Sequence, residues 1–454
     1  MKSSTLGFFG GVGSVTGANF MLDTGSTAIL VDCGLIQGDR FTQEANAEPF
    51  PYSPKDADIL LVTHAHADHI GRIPKLVKDG FKGKIYSTRP TKDLAHVMLQ
   101  DALKVMRYEY ERYGNEVLYE DEDVELAMRL WQALDYDEPL SLPDAVTATF
   151  TDAGHILGSA MIRLERGERS IVFTGDIGND PQPLLNPPVI PVEYQYLVME
   201  SVYGDRLHEE VEERSALLQH YIEDTRAKGG TLIIPAFSME RTQGMLLEIN
   251  NMVEAGTIEP IPVFLDSPLA ISVTDIYRRY PEYLKDSVQE QIKAGDDIFE
   301  FSGLSFTRTV KESHEINKEK GPKIIIAGSG MSHGGRIRRH EKNYLSDSNN
   351  TLLLVGYQSV GSLGRILHDG AEVVTIDKEK VRVKAQIARI RGFSGHADRD
   401  QLLNLVAQGG EHAEQVFVTM GEERSSLFLT QRLRDYLGVN AMAPGLNEEM
   451  EIEF

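Results

Sequence analysis

The chain has 454 residues, of which 41% are hydrophobic and 25% are charged, and its formal net charge is −23. It can bury a full core and has room for two or three domains, while its acidity disfavours non-specific adhesion to nucleic acid or anionic membranes. Cys33 is the only cysteine, which excludes an intrachain disulfide and a zinc site built from thiolates.

The first residues lack the apolar segment of a signal peptide, and no apolar run approaches the ~20 residues that a membrane helix needs. We therefore expect a cytoplasmic protein with no membrane partner. Short apolar runs separated by glycines open the chain and predict consecutive antiparallel strands. "ADILLVTHAH" (57–66) predicts a buried strand that runs into a loop, and "HIGRIPKLVKDG" (69–80) has helical spacing.

A longer helical region is predicted from about Thr91 to Leu134, where apolar residues recur every three or four positions. Within it, the acidic run "YEDEDVE" (119–125) is interpreted as a solvated surface segment. Four strand patterns follow, and the last two end at Asp176 and Glu200. After about residue 205 helix and buried-strand patterns alternate, which is typical of a separate α/β module.

The stretch "THAHADHIG" (63–71) crowds metal-ligand residues into a strand exit. His64 and His66 are two residues apart in an extended segment, so they project to one side and can hold one ion. Asp68 and His69, past the turn, can face a second ion. Zinc accepts this mixture of imidazole and carboxylate. Histidines satisfied by hydrogen bonds in the core are the alternative, which the density of ligands disfavours.

The other histidines are isolated and are interpreted as surface or packed residues: His96, His208, His220, His314 and His412. His155 and Asp176 differ from these because each lies at a predicted strand end beside glycines, where a side chain can reach across the mouth of a sheet. Asp32 lies in a similar place and is a candidate to orient a histidine ligand.

The motifs "HAHADH", "GHILGSA" and "TGD", in this order, resemble the metallo-β-lactamase fold. That resemblance implies a four-layer αββα sandwich with its metal site along the sheet edges. It implies that His64, His66 and His155 hold one zinc ion. Asp68 and His69 would contribute to a second zinc, and Asp176 would bridge the two.

Four further motifs resemble the β-CASP subfamily, which includes the cleavage and polyadenylation endonuclease and its bacterial and archaeal relatives. They are "VMESVYGDR" (198–206), "GSGMSHGGRI" (328–337), "GYQSVGSLGR" (356–365) and "RGFSGHAD" (391–398). In that subfamily an α/β cap interrupts the lactamase domain. The resemblance therefore implies a first lactamase segment at 1–205, a cap at 206–385 and a return segment at 386–454.

The implied activity is zinc-dependent phosphodiester cleavage of RNA, with Asp68, Glu200 and His396 as catalytic residues. His396 would protonate the leaving oxygen while Glu200 orients it, and the metal ions would lower the pKa of water to roughly 7. The implied partner is single-stranded RNA, with DNA as an alternative, and a homodimer is compatible with the resemblance.

We expect substrate contacts from one glycine-rich motif and from two arginines. "GSGMSHGGR" predicts a phosphate cradle formed by Ser329, Gly330 and Arg336, although a tight strand-to-helix turn explains it equally well. Arg241 in "PAFSMERTQ" and Arg365 match positions that line the nucleic-acid groove in the subfamily. Interdomain salt bridges are the alternative for these two arginines.

One position departs from the family pattern. RNA-cleaving members end their final strand in "HGE", and that histidine completes the second metal site, whereas this chain reads "TMGEE" with Met420 there. A thioether is a soft, neutral ligand that does not replace imidazole on zinc. Three readings follow: a nuclease with a weakened second site, a DNA-directed nuclease, or a scaffold or regulatory subunit. A small-molecule hydrolase on the same fold is disfavoured, because a large cap forms a long cleft.

Overall fold

The structure is a computed structural model that describes residues 3–38, 41–208, 212–356, 358–359, 361–390 and 393–454. The chain divides into two compact units. The first unit comprises Met1–Asp180, Asn186–Leu207 and His396–Phe454, and the second comprises Pro181–Leu185 and His208–Gly395. The motifs "GYQSVGSLGR" and "RGFSGHAD" each contain residues outside the described ranges, namely 357, 360, 391 and 392.

Strands and helices alternate along most of the chain. The strands are β1 (Ser3–Gly10), β2 (Asn19–Asp23), β3 (Ala28–Val31), β4 (Ile59–Leu61), β5 (Lys84–Thr88), β6 (Trp131–Leu134), β7 (Leu140–Ser141), β8 (Thr147–Asp152), β9 (Ala160–Arg166), β10 (Arg169–Phe173), β11 (Tyr196–Met199), β12 (Thr231–Pro235), β13 (Val263–Leu265), β14 (Leu304–Phe306), β15 (Lys323–Ala327), β16 (Thr351–Leu354), β17 (Val373–Ile376), β18 (Glu379–Arg382), β19 (Gln386–Arg389), β20 (Gln415–Val418), β21 (Ala441–Met442) and β22 (Glu448–Glu453). The helices are α1 (Phe41–Ala47), α2 (Ala67–Ile70), α3 (Ile73–Lys78), α4 (Arg89–Tyr113), α5 (Asp121–Leu130), α6 (Glu212–Lys228), α7 (Arg241–Glu254), α8 (Pro268–Tyr277), α9 (Asp286–Lys293), α10 (Val310–Glu315), α11 (Ile337–Tyr344), α12 (Leu363–His368), α13 (Arg399–Gly409) and α14 (Glu423–Leu437). No helix within the described ranges combines the length and the apolar character needed to cross a membrane.

Two mixed sheets form the first unit. Within the described ranges one has the order β22-β1-β2-β3-β4-β5-β6 and the other the order β21-β20-β11-β10-β9-β8-β7. In the first sheet β22, β1, β2 and β3 pair antiparallel, and β3 to β6 run parallel. In the second sheet β10, β11, β20 and β21 run parallel. The histidine motif follows β4, and Asp176 and Glu200 follow β10 and β11. Because each of these strands runs parallel to a neighbour, the residues that follow them lie at the carboxyl edges of the sheets.

The core of the first unit lies between these two sheets. Phe8 and Phe20 of the first sheet belong to one buried cluster with Phe150 and Phe173 of the second. Helices α13 and α14 bury a second cluster on the other face of the second sheet, and α4 and α5 contact β5 and β6 of the first. This order of helix, sheet, sheet and helix confirms the predicted αββα arrangement.

The predicted helical region from Thr91 to Leu134 is in fact two helices and a strand. Helix α4 ends before Gly114, whose φ of 75° gives the left-handed conformation that favours glycine. Helix α5 then begins with a capping box between Glu120 and Asp123. The acidic run is largely exposed, as predicted, but it also supplies the first turn of α5, where the helix dipole stabilises carboxylates.

A parallel α/β sheet forms the second unit. Its described strands lie in the order β14-β13-β15-β12-β16-β19, and all neighbouring pairs are parallel. Strands β12 and β15 are buried along their whole length, as expected of a sheet covered on both faces. The α/β module predicted after residue 205 is thus present, and the loops at the carboxyl ends of its strands are where ligands usually bind in such sheets.

The inter-sheet core provides a test of the first unit's stability. Leu164 on β9 is fully buried in that core, so Leu164→Ala should lower the free energy of unfolding by about 3 kcal/mol. The change is measured by urea denaturation followed through the fluorescence of Trp131, the only tryptophan, which lies in the same unit. Leu446→Ala is the control, since Leu446 is 62% exposed. An equal loss in both variants would contradict this packing.

Candidate metal centre and acid–base pair

The histidine-rich loop is positioned by tight backbone contacts in the first unit. It follows β4, and its last residues form α2. The amide of Ala18 donates to the carbonyl of Asp68 at 2.9 Å, and the amide of Cys33 donates to the carbonyl of His69 at 2.8 Å. A Cβ on Gly34 would overlap the carbonyl oxygen of Asp68, so glycine is required at residue 34 for this close approach.

Three histidines and one carboxylate converge at the first candidate position. Single ligand atoms of His64, His66, His155 and Asp176 all lie within 4.8 Å of one another. Asp176 Oδ2 is 3.4 Å from His64 Nε2 and 3.5 Å from His155 Nε2. Burial lowers the pKa of all three histidines, which favours the neutral imidazole that binds a metal ion. This donor set fits a divalent metal.

His69 and the second oxygen of Asp176 mark a neighbouring position. His69 Nε2 lies 3.3 Å from Asp176 Oδ1, and both atoms are buried without a hydrogen-bond partner. Burial would lower the pKa of His69, but the carboxylates of Asp176 and Asp32 hold it well above its ordinary value. The pocket therefore favours positive charge here, and a metal cation would satisfy both atoms.

Asp32 orients His69 from behind. Its Oδ2 lies 2.7 Å from His69 Nδ1 and accepts a hydrogen bond from the hydroxyl of Thr63 at 2.7 Å, while its Oδ1 accepts from the amide of Thr63 at 2.8 Å. These bonds fix the ring so that Nε2 faces Asp176. Sequence reasoning did not select Thr63, and its place directly before the histidine motif was the only signal.

Asp68 lies in the first turn of α2 beside these groups. Burial raises the pKa of its carboxyl, and His69 opposes that rise. Among the described residues, two groups have ligand atoms within 4.8 Å of one another: the four residues above, and Asp176 with Glu200 and His396. Asp68 and His69 belong to neither group. Of the predicted ligands, the structure therefore brings His64, His66, His155 and Asp176 together most tightly.

A histidine–glutamate pair lies beside the metal-ligand cluster. His396 Nδ1 is 3.4 Å from Glu200 Oε1 and 3.8 Å from Asp176 Oδ2. The amide of Ile177 donates to Glu200 Oε1 at 2.6 Å and so fixes the carboxylate. Burial would lower the pKa of His396, but Glu200 and then Asp176 raise it to about 9. The pair can therefore hold a proton at neutral pH and deliver it to a nearby oxygen.

Met420 follows β20 and turns its side chain into the core between the sheets. It is 2% exposed and packs in the cluster that contains Phe20 and Phe173. Its amide donates to the carbonyl of Gly11 at 2.6 Å. Together with His69 and Glu200, among other residues, it lines a small cavity. The chain thus has an apolar thioether at the position where the family resemblance implies a histidine with a nitrogen ligand.

The predicted substrate-binding residues lie in the second unit and separate into two sets. Arg336 donates to Asp266 Oδ1 at 2.7 Å and to the carbonyls of Thr307 and Arg308 at 2.9 Å. Arg365 pairs at 2.8 Å with Asp369, which directly follows its helix α12. Both guanidinium groups have carboxylate partners within the unit.

The other set lies at the carboxyl ends of β12 and β15. The carbon Cζ of Arg241 lies 5.4 Å from the ring centre of Phe237, and the backbone of Gly330 packs against the same ring. Ser329 is in the same loop as Gly330, and its hydroxyl accepts from the amide of Gly334 at 3.2 Å. Sequence reasoning did not select Phe237, which only its exposure in the fold reveals.

Three family models match successive parts of the chain. A metallo-beta-lactamase superfamily domain matches residues 21–190, and a Beta-Casp domain matches residues 242–367. A domain described as a Zn-dependent metallo-hydrolase RNA specificity domain matches residues 380–444. Together the three matches include segments of both compact units.

Similar proteins extend over most of the chain. Ribonuclease TTHA0252 of Thermus thermophilus is 37% identical, over 94% of this chain and 95% of the relative. Transcription termination factor FttA of Methanosarcina mazei is 31% identical, over 96% of this chain and 69% of the relative. A crystal structure of a protein of unknown function from Enterococcus faecalis has a TM-score of 0.58 at 12% identity, covering 99% of this chain and all of that one. The last comparison bears on the fold alone.

The support that Asp32 gives to His69 can be tested by metal affinity. Asp32→Asn retains the size of the side chain but loses the charge that orients and polarises the ring, so divalent-metal affinity should fall about 10- to 100-fold. Competition with a chromogenic chelator measures this affinity. Asp56→Asn removes an exposed carboxylate from the same unit and should leave the affinity unchanged. Equal affinities for Asp32→Asn and the wild type would contradict the role of Asp32.

Three findings agree on the family: the relative from Thermus, the three family models, and the αββα core with its cluster of histidines and carboxylates. The metallo-β-lactamase fold implies that the chain binds divalent metal. The chain belongs to the β-CASP subfamily of the metallo-β-lactamase superfamily, and it is a metal-dependent hydrolase.

Proposed function

We propose that this chain is a zinc-dependent ribonuclease that cleaves single-stranded RNA. One observation carries the proposal: Asp176 faces the histidine cluster with one oxygen and His69 with the other, and His396 lies 3.8 Å from it. A candidate metal centre and a proton donor therefore share one carboxylate. That juxtaposition suits hydrolysis of a phosphodiester, in which charge develops on phosphate oxygens as a leaving oxygen needs a proton.

The relatives support RNA as the substrate. The relative from Thermus carries the name ribonuclease, and one matching family model is described as an RNA specificity domain. These names and descriptions mention neither DNA nor a dimer. We therefore propose RNA and not DNA as the substrate.

The proposed zinc ligands follow the geometry of the cluster. His64, His66, His155 and Asp176 would hold one ion, and Asp68, His69 and the second oxygen of Asp176 would hold another. Zinc bound there would polarise the phosphodiester and the attacking water. Asp32 and Thr63 keep His69 in the orientation that this arrangement needs.

The proposed general acid is His396. Its Nδ1 faces Glu200, which leaves the Nε2 proton as the one that it delivers to the leaving oxygen. Glu200 stabilises the imidazolium and is itself fixed by the amide of Ile177. At neutral pH the raised pKa keeps His396 protonated, so the acid is ready before the substrate arrives.

A second candidate function rests on Met420. Because an apolar side chain replaces a ligand histidine, a scaffold or regulatory subunit with an impaired second metal position is the alternative to a nuclease. The residues around Asp176 favour the nuclease, since a scaffold does not require a proton donor beside a metal cluster. Because both functions allow a weakened second metal position, cleavage of RNA by the zinc-loaded wild type separates them.

The acid role of His396 predicts a pH dependence. The rate of RNA cleavage should be constant below the pKa of His396 and fall as the pH rises through about 9. Glu200→Gln removes the carboxylate that raises this pKa, so the alkaline fall should move to lower pH. His396→Ala should slow cleavage about 10²- to 10⁴-fold. Single-turnover cleavage of a labelled single-stranded RNA measures each rate.

Glu122→Gln is the matched control for this experiment, because Glu122 is exposed in the first turn of α5. It should leave the pH profile where the wild type has it. An alkaline fall that stays in place in Glu200→Gln would assign that fall to another group and contradict the role of His396.

Loss of the ligand at residue 420 predicts unequal metal affinity. After dialysis against metal-free buffer, the wild type should retain about one zinc per chain and Met420→His about two. Met420→Leu retains an apolar side chain without a ligand and should match the wild type. Elemental mass spectrometry gives the stoichiometry. Two retained ions in the wild type would mean that Asp68, His69 and Asp176 suffice, and none in either protein would favour the scaffold.

A further inference from the structure

One exposed aromatic ring lies at the carboxyl edge of the sheet in the second unit. Phe237 follows β12 and is 37% exposed. Among the described residues of that unit it is the only exposed aromatic side chain. A single exposed apolar residue needs no explanation by itself, so the surroundings of the ring decide its meaning.

The ring is anchored along one edge. A Cβ on Gly330 would lie 2.7 Å from Cδ2 and 2.9 Å from Cε2 of Phe237, and a Cβ on Gly356 would lie 3.7 Å from Cε2. The backbone of Gly330 therefore packs against this edge. Gly356, whose added Cβ would lie 2.0 Å from Arg241 Nη1, packs mainly against the arginine beside the ring. Because glycine has no side chain, there is room for the ring at this edge. Over a third of Phe237 remains exposed.

The loop that carries the ring is fixed by hydrogen bonds. The hydroxyl of Thr242 donates to the carbonyl of Phe237 at 2.7 Å, and the side-chain amide of Gln243 donates to the carbonyl of Ser238 at 3.1 Å. Gln358 donates to the carbonyl of Gly330 at 3.0 Å and so holds the neighbouring loop. A rigid aromatic ring loses little conformational entropy when a ligand stacks on it.

An arginine accompanies the ring. The carbon Cζ of Arg241 lies 5.4 Å from the ring centre, and its guanidinium donates to the carbonyl of Val355 at 3.2 Å. Strands β15 and β16 flank β12 on opposite sides, so the three loops after these strands meet at the edge where ligands bind in parallel α/β sheets. Aromatic and arginine side chains at such an edge suit a flat, electron-rich ligand.

We propose that Phe237 is a stacking platform for one base of the single-stranded RNA, with Arg241 beside it as a cationic partner. The proposal rests on the ribonuclease function. It adds that the second unit contacts a base of the RNA. Stacking accepts any base, so this contact would add affinity without sequence preference.

The charge of the chain makes such a contact useful. With a net charge of −23, the chain as a whole repels a polyanion at long range. Arg336, predicted to help form a phosphate cradle, is paired with Asp266. Arg365, predicted to line the nucleic-acid groove, is paired with Asp369. Stacking on Phe237 draws on neither net charge nor those arginines.

Binding to two matched strands tests the proposal. One is a labelled single-stranded RNA of about 12 nucleotides with phosphorothioate linkages that resist cleavage, and the other has the same backbone without bases. Fluorescence anisotropy gives both dissociation constants. Phe237→Ala should weaken binding of the RNA about tenfold and leave binding of the baseless strand unchanged, while Phe237→Trp should retain the affinity of the wild type.

Tyr436→Ala is the control variant. Tyr436 on α14 is 63% exposed and has Arg432 Cζ 4.8 Å from its ring centre, so it reproduces the chemistry of the pair at another place. This variant should bind both strands as the wild type does. Thermal unfolding of each variant shows whether it is folded.

Three results would overturn the proposal. Equal affinity of Phe237→Ala and wild type for the RNA would exclude stacking. The exposed ring would then be assigned to contact with a protein partner. An equal loss for both strands would mean that Phe237 only shapes its loop. No binding of either strand by the wild type would remove RNA as the ligand and therefore the proposed function as well, whereas the first two results leave that function standing.

Discussion

The buried carboxylate of Asp176 is the interaction on which the rest of the site depends. One oxygen faces His64 and His155, the other faces His69, and His396 lies within 3.8 Å. A carboxylate that is 3% exposed is costly to bury unless positive charge surrounds it. Burial would raise its pKa, but His69 and His64 hold the pKa well below the ordinary value. The ionised form is thus retained, and it links a metal position to a proton donor.

The electrostatic balance explains why neighbouring histidines behave differently. His64, His66 and His155 are dominated by burial and share their space with other imidazoles, so the pKa of each is lowered. His69 is fully buried and His396 is partly exposed, but each faces two carboxylates, so their pKa values are raised. The nearest carboxylates therefore decide whether each imidazole is held neutral or protonated before a metal ion binds.

Met420 packs in the core of the first unit at the position where the family resemblance implies a ligand histidine. The thioether fills the core between the sheets, where an apolar side chain adds packing. The remaining groups around Asp176 come from other strands and loops, and their positions do not depend on the side chain of residue 420. If the proposed second metal ion binds, it has fewer nitrogen donors than the family pattern offers, while the carboxylates remain.

The sequence by itself determined the local patterns: the strands around the histidine motif, the alternation of the second unit and most of the ligand types, because each depends on spacing within a few residues. Spacing alone could not place His155, Asp176, Glu200 and His396 around one point, since that needs parallel strand ends from separate sequence segments to meet. Only the family resemblance implied that these residues act together. The sequence could not separate Arg336, held by Asp266, from Arg241, held against Phe237, because neither partner is adjacent in sequence. Only the tertiary structure decides which charges are paired and which rings stay exposed, since both follow from long-range packing.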